Sequence, residues 1–262
     1  MADASRRSDA VRDGQIDVPR GTSWQLGAHP QAAGHAAPLL ERVRRDPPHW
    51  AGDEIQPWDE DAFDRLERLA VSRCCTEMGS VNVFRVIGTR RRALQGRTWL
   101  WLLEHGERMA RNLALHAENP GYYLGEAHKA PTMSFISLDG QSWHVDSDGN
   151  HRTCIARFAF ALEGERSMLH GVALSDWRID WVLAEAMARL EEIVAERRLP
   201  WRLVPLRRTL GREDGPGWML ERYAPRLEVR RPEGVVEADA RGAWALVREA
   251  EQRRWRRWWP FG

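Results

Sequence analysis

An α+β fold with a small mixed sheet is predicted by three features of this 262-residue sequence. Short alternating runs at 81–87 (VNVFRVI) and 131–146 have the period of half-buried strands, and the second is split by the turn pair Asp139-Gly140. Residues 179–198 carry apolar side chains at the 3.6-residue period of an amphipathic helix. The strands and helices do not alternate regularly, which separates the pattern from a doubly wound α/β chain. The 43% hydrophobic content is enough for a core, and the formal net charge of +1 supplies no global attraction to nucleic acid or to a membrane.

Residues 1–45 are rich in Ala, Gly, Ser, Asp and Arg without sustained apolar periodicity, and are expected to form a disordered leader. A helix starts near Trp58, with Glu60 and Asp61 in its first turn and Phe63, Leu66 and Leu69 following at helical spacing. Glu77 leads into the strand at 81–87, with Cys74 and Cys75 read as small buried residues. The run 99–103 (WLWLL) reads as a second, more buried strand, and 107–117 as a helix stopped by Asn119-Pro120-Gly121. Strands at 131–138 and 141–146 form a hairpin that leads into a helix over 150–162. That helix places Cys154, Ile155, Phe158, Ala159 and Leu162 on one face. An apolar link at 168–174 precedes the amphipathic helix, whose face comprises Ile179, Val182, Leu183, Ala186, Leu190, Ile193 and Val194. A strand at 201–206, a loop at 211–217, a short strand at 227–230 and a last helix from about Ala238 complete the order. The organisation predicted is a domain over 46–175, an α+β extension over 176–250 packed on it, and a basic, tryptophan-rich tail over 251–262.

The chemistry concentrates where the hairpin meets the helix, at Asp148-Gly149-Asn150-His151-Arg152. A helix start leaves backbone N–H groups without partners and carries partial positive charge. A guanidinium and an imidazole in the same turn suit it to phosphate or another anion. The plain alternative is that Asp148 or Asn150 caps the helix while Arg152 is solvated. Lys129, the one lysine in the chain, precedes the hairpin and is either a further anion contact or an exposed surface lysine. His144, Asp146, Asp148 and His151 do not have the spacing of a known metal-ligand set. A Mg²⁺ ion arriving with nucleotide phosphates fits better, with Asp146 or Asp148 as the carboxylate that positions metal or water.

The proline-led strand, the hairpin turn, the second strand and the D-G-N-H-R helix start together resemble the ParB/sulfiredoxin superfamily, most firmly over about 122–162 and more loosely back to Val81. In that superfamily the equivalent turn binds nucleotide phosphates. The resemblance aligns Gly149 with the turn glycine, Asn150 with the sulfiredoxin cysteine, and His151 and Arg152 with the phosphate-contacting pair. Asn150 is not a thiol, and Cys154 lies a helical turn further on, so sulfiredoxin chemistry is not expected. The tryptophan-rich character and the segment 177–181 (WRIDW) are similar to plasmid fertility inhibition factors of the oncogenic-suppression type. That resemblance implies binding of ATP or a related nucleotide and interference with conjugative type IV secretion components, with ATPase or DNase activity among the group's properties. Two alternatives stay open: a ParB-like nucleotide-dependent DNA-binding regulator, and a catalytically inert inhibitor acting by protein contacts.

Three cysteines form neither a metal spacing nor a disulfide framework. With no apolar run long enough to cross a bilayer, a cytoplasmic setting is expected, extending to the inner-membrane surface. The tail interleaves Arg256 with Trp258 and Trp259, which suits an anionic membrane surface or, less well, stacking on single-stranded nucleic acid. The same tryptophans alternatively pack back on the domain.

Overall fold

Local polar chemistry sets several of the turns and the starts of three helices, each capped by a side chain. The structure is a computed structural model that describes residues 39–164 and 166–252. It begins with α1 (Leu39–Arg45), whose Val43 is fully buried, so the last seven residues of the expected 1–45 leader are helical. After β1 (Gln56–Pro57), helix α2 (Glu60–Leu66) starts where the Asp59 carboxylate accepts the Ala62 N–H at 2.9 Å.

Strand β2 (Ala70–Asn82) ends where the Asn82 side chain accepts the Phe84 N–H at 2.9 Å and closes a 3-10 turn. The run at 81–87 is therefore not one strand, and pairing resumes in β3 (Val86–Thr89). The expected strand at 99–103 is instead helix α3 (Trp99–His105). The Thr98 hydroxyl caps it by accepting the Trp101 N–H at 3.0 Å, and Trp99, Leu102 and Leu103 bury one face. A short, wholly apolar run has no period to separate strand from helix, and here the cap decides.

Helices α4 (Met109–Glu118) and α5 (Gly121–Leu124) follow, then the hairpin of β4 (Ser134–Ser137) and β5 (Trp143–Val145). Gly140 turns the hairpin at a φ of +70°, and Asp139 Oδ1 accepts the N–H groups of Gln141 and Ser142, both at 2.8 Å. Helix α6 (Asn150–Glu163) buries Cys154, Ile155, Phe158 and Ala159 as its pattern predicts.

The supposed link at 168–174 is the first half of a twelve-residue strand, β6 (Met168–Ile179). Helix α7 (Trp181–Arg197) is capped by Asp180, whose Oδ1 accepts the Leu183 N–H at 2.9 Å. It buries Leu183, Ala186, Leu190 and Ile193, whereas Val182 is more than half exposed and Ile179 belongs to β6. The supposed loop at 211–217 is also mostly strand. β7 (Arg202–Gly215) and β8 (Trp218–Arg231) form a long antiparallel pair, joined at a turn through Gly217 with φ of +74°. β9 (Gly234–Ala238) pairs with β8, and α8 (Ala240–Gln252) closes the described chain.

These strands make one nine-stranded mixed sheet in the order β1-β3-β5-β4-β6-β2-β8-β7, with β9 added on β8. It is larger than the small sheet expected. Adjacent residues of β4 show its two faces. Phe135 enters a core with α1, α3, α4 and α6, while Ile136 enters another with α2, α7 and α8. The helices thus cover both faces. The boundary expected between 175 and 176 falls inside β6, which pairs with both β2 and β4. Residues 46–250 therefore share a sheet rather than forming a domain with an extension packed on it. No described helix is long and apolar enough to cross a membrane.

Candidate functional site

The turn between β5 and α6 is built around one glycine. Gly149 has a φ of +119°, and a Cβ added there would lie 3.2–3.3 Å from the Met133 side chain. Its carbonyl accepts the Thr153 N–H at 2.7 Å, which is the first bond of α6. The N–H groups of Asn150, His151 and Arg152 lie ahead of that bond, in the first turn, where backbone donors have no helical acceptor. Asp148 accepts the Gly149 N–H at 2.6 Å through one carboxylate oxygen and Arg152 Nη2 at 3.0 Å through the other. Gly149→Ala is expected to lower stability by about 1–3 kcal/mol through backbone strain, read as an earlier urea midpoint.

The turn opens into a cavity of about 400 Å³ between α4, α5 and the start of α6. One face of α4, from its N-cap to its C-cap, supplies Arg108, Arg111, Asn112, Leu115, His116 and Asn119 at spacings of three and four. The opposite wall is Pro131, Asp148, Gly149, His151 and Arg152, with Tyr122 and Tyr123 of α5.

The cavity has two unlike ends. His151 lies against Gly106, just before α4, so the His151–Arg108–Arg111 end is basic. Towards the C-terminal end of α4, His116 meets Tyr123 edge-on at 5.2 Å, and Tyr122 meets Tyr123 at 5.1 Å. Among the described residues neither Arg108 nor Arg111 forms an ion pair. Burial lowers the pKa of His151, and the neighbouring Arg91 and Arg108 lower it further, so the free imidazole is neutral at pH 7. Burial lowers His116 in the same way.

The residues expected to form the site divide into two groups. Gly149, Asn150, His151, Arg152 and Asp148 are contiguous at the turn, but Asn150 is 8% exposed and does not line the cavity. Arg152 is a brace rather than a free cation. Its guanidinium donates to Tyr122 Oη at 2.7 Å, to the carbonyls of Pro131 and Thr132 at 2.5 and 3.4 Å, and to Asp148.

Lys129 is neither a surface lysine nor a cavity residue, being only 2% exposed. Its ammonium donates to Gly125 O at 2.7 Å and Ala127 O at 3.4 Å, beside the Tyr122 ring. The loop just before it supplies acceptors, which satisfies the charge locally. Burial nonetheless lowers its pKa.

Asp146 and Asp148 do not converge. Asp146 pairs with Arg90 at 2.7 Å, and Arg90 also holds Glu60 through two bonds of 2.8 Å. Asp146 lines a second cavity of about 460 Å³ with Glu77, Ser134 and Trp218. His144 packs between Gly88 and the Trp58 edge, where burial lowers its pKa to about 4. Among the described residues no three His, Cys, Asp or Glu side chains are arranged to hold a metal ion.

Cys154 is fully buried and its pKa is raised by burial, which keeps it a thiol. Cys74 is exposed and Cys75 half-buried, because β2 turns them towards solvent and the second cavity instead of a core. Arg256, Trp258 and Trp259 lie outside the described residues.

No family model, curated protein or solved structure matches this chain. Its functional reading therefore stands on its residues. Sequence reasoning missed Arg108, Arg111, Tyr122 and Tyr123, although a signal was present. Arg108, Arg111, Asn112 and His116 recur at helical spacing, a polar stripe that marks the face of α4 turned away from the core.

Proposed function

We propose that this chain is a ParB/sulfiredoxin-like protein whose cavity beside α6 binds a nucleoside triphosphate of the ATP type. In this reading it acts as a plasmid-type fertility inhibition factor, interfering with conjugative type IV DNA transfer. The observation that carries the binding site is the convergence of unpaired Arg108 and Arg111 on the first turn of α6, next to His151. Guanidinium groups and helix amides are the two protein donors best suited to phosphate oxygens. At the other end of the cavity Tyr122 and Tyr123, packed edge to face, offer aromatic surface to a base. The role in conjugation rests on the sequence resemblance.

Isothermal titration of ATP, CTP and GTP into the full chain tests the site. The double variant Arg108→Ala/Arg111→Ala is expected to lose at least about tenfold in affinity, the loss of roughly one charge-assisted contact. Equal affinity in the wild type and the variant would sink the assignment.

Within the proposed role, an inhibitor working by contacts is favoured over an ATPase or nuclease. Asp148 is engaged by Gly149 N–H and Arg152, and Asp146 pairs with Arg90 and lines the other cavity, so the two carboxylates do not converge on one water. A mating assay with the double variant separates the two ideas. Full inhibition of plasmid transfer by a variant that no longer binds nucleotide would make inhibition independent of the site. The DNA-binding alternative gains nothing from the long β7–β8 hairpin, where Arg208, Arg212, Arg222 and Arg230 are each paired with a carboxylate.

A further inference from the structure

The donor set of this cavity disagrees with a magnesium-bound nucleotide. This inference rests on the cavity being the nucleotide site and concerns the form in which the nucleotide enters it. Mg²⁺ holds its octahedron with waters and one or two carboxylates, along with substrate phosphates. The cavity lining contains a single carboxylate, Asp148, and three arginines, Arg108, Arg111 and Arg152. Both oxygens of Asp148 are already accepting, one from the Gly149 N–H at 2.6 Å and one from Arg152 at 3.0 Å. Taking Asp148 for a metal would release Arg152 from part of the brace that holds the Pro131 wall, at a cost the ion would have to offset. Glu107, whose charge reaches His151, is directed to Arg91 at 3.8 Å and does not line the cavity.

What the cavity lacks in carboxylate it supplies in positive charge and N–H donors. Chelation by magnesium would cancel part of the triphosphate's charge and occupy the oxygens that Arg108 and Arg111 are placed to meet. We propose that the nucleotide is bound as the free polyanion, without magnesium, its charge answered by Arg108, Arg111 and the first-turn amides of α6. With no metal to bridge the terminal phosphates, the ligand is held and released rather than hydrolysed. The site is then a sensor of uncomplexed nucleotide or of another organic polyphosphate with an aromatic end.

The experiment is a titration of ATP into the full chain at fixed ionic strength, once in excess EDTA and once in excess MgCl₂. Affinity is expected to be at least about tenfold tighter in EDTA, because the chelate presents less charge to the arginines. Equal affinity, or binding only with MgCl₂, overturns the metal-free inference and leaves the nucleotide site standing. Absence of binding under both conditions overturns the nucleotide reading and this inference together. Adenosine added alone to the EDTA sample should fail to compete at concentrations where ATP saturates. Competition by adenosine as strong as that by ATP would overturn the role given to the arginines.

Discussion

Arg157→Met is expected to destabilise the protein by about 4 kcal/mol, the largest effect of any single substitution proposed for this chain. Arg157 lies in the middle of α6 and is 5% exposed, yet no carboxylate pairs with it at salt-bridge distance among the described residues. Its guanidinium is held between two indoles, with Cζ 4.5 Å from the Trp50 ring and 4.3 Å from the Trp99 ring. Nη1 donates to the carbonyls of Val83 and Val86, at 2.9 and 2.5 Å. Val83 opens the 3-10 turn that separates β2 from β3 and Val86 begins β3, so the side chain ties α6 to the break in the sheet. Methionine restores volume but loses both hydrogen bonds, at about 1 kcal/mol each, and two cation–π faces of similar size, although the Val83 carbonyl keeps the Val86 N–H. Urea unfolding reads the loss directly. A change below about 1 kcal/mol would mean that the turn finds other donors. Burial lowers the Arg157 pKa to about 10, so the group remains charged across the neutral range and the destabilisation should not vary between pH 6 and 8.

Arg152→Ala is expected to cost about 2 kcal/mol and to loosen the wall of the cavity, for a reason unlike the one its place in the helix start suggests. Its donors hold Tyr122, Pro131 and Thr132, and its side chain is 12% exposed, so those bonds are made largely away from water. Its pair with Asp148 counts for less, since that carboxylate is 59% exposed. Chymotrypsin should therefore cut the variant faster at Tyr122, Tyr123 or Leu124, while the rest of the chain keeps its resistance. Arg152→Lys should restore little, because a point charge cannot reproduce the planar fork. Unchanged cleavage would show that α5 is held by Lys129 and the packing of Tyr123 alone.

The contrast between Arg152 and Arg108 shows what was legible in the sequence. The turn at Gly149 was legible because its chemistry is local, consisting of alternation, a glycine and then a helical period. The hairpin at Asp139-Gly140 was legible for the same reason, and so was the buried face of α6. The mixed α+β class followed from these elements. What was hidden is long-range. Arg152 and Lys129 are bonded to carbonyls of the loop at 125–132, and no spacing in the sequence says which acceptors a cation will find. Asp146 and Asp148 are two residues apart, but the turn sends one to Arg90 and the other to Arg152. The helix at 99–105 was misread because five consecutive large apolar residues carry no period. The strands at 168–179 and 202–231 extend beyond what alternation shows, because runs of partly buried residues follow one another along them. Arg108 and Arg111 were hidden for the same long-range reason, since only the fold brings α4 against the start of α6.

The central claim is that an anionic ligand enters between α4 and the first turn of α6, and its most direct test is the imidazole of His151. Burial and the neighbouring arginines hold its pKa below the ordinary 6.5 in the free protein. A bound polyphosphate adds negative charge beside the ring and must raise it. Binding then takes up a proton, so affinity strengthens as pH falls through the bound-state pKa and levels off below the free-state value. Proton NMR of the His151 ring, titrated against pH with and without saturating ATP in EDTA, should show the pKa rising on binding. A saturable complex that leaves the His151 titration unmoved would place the ligand elsewhere and contradict the account.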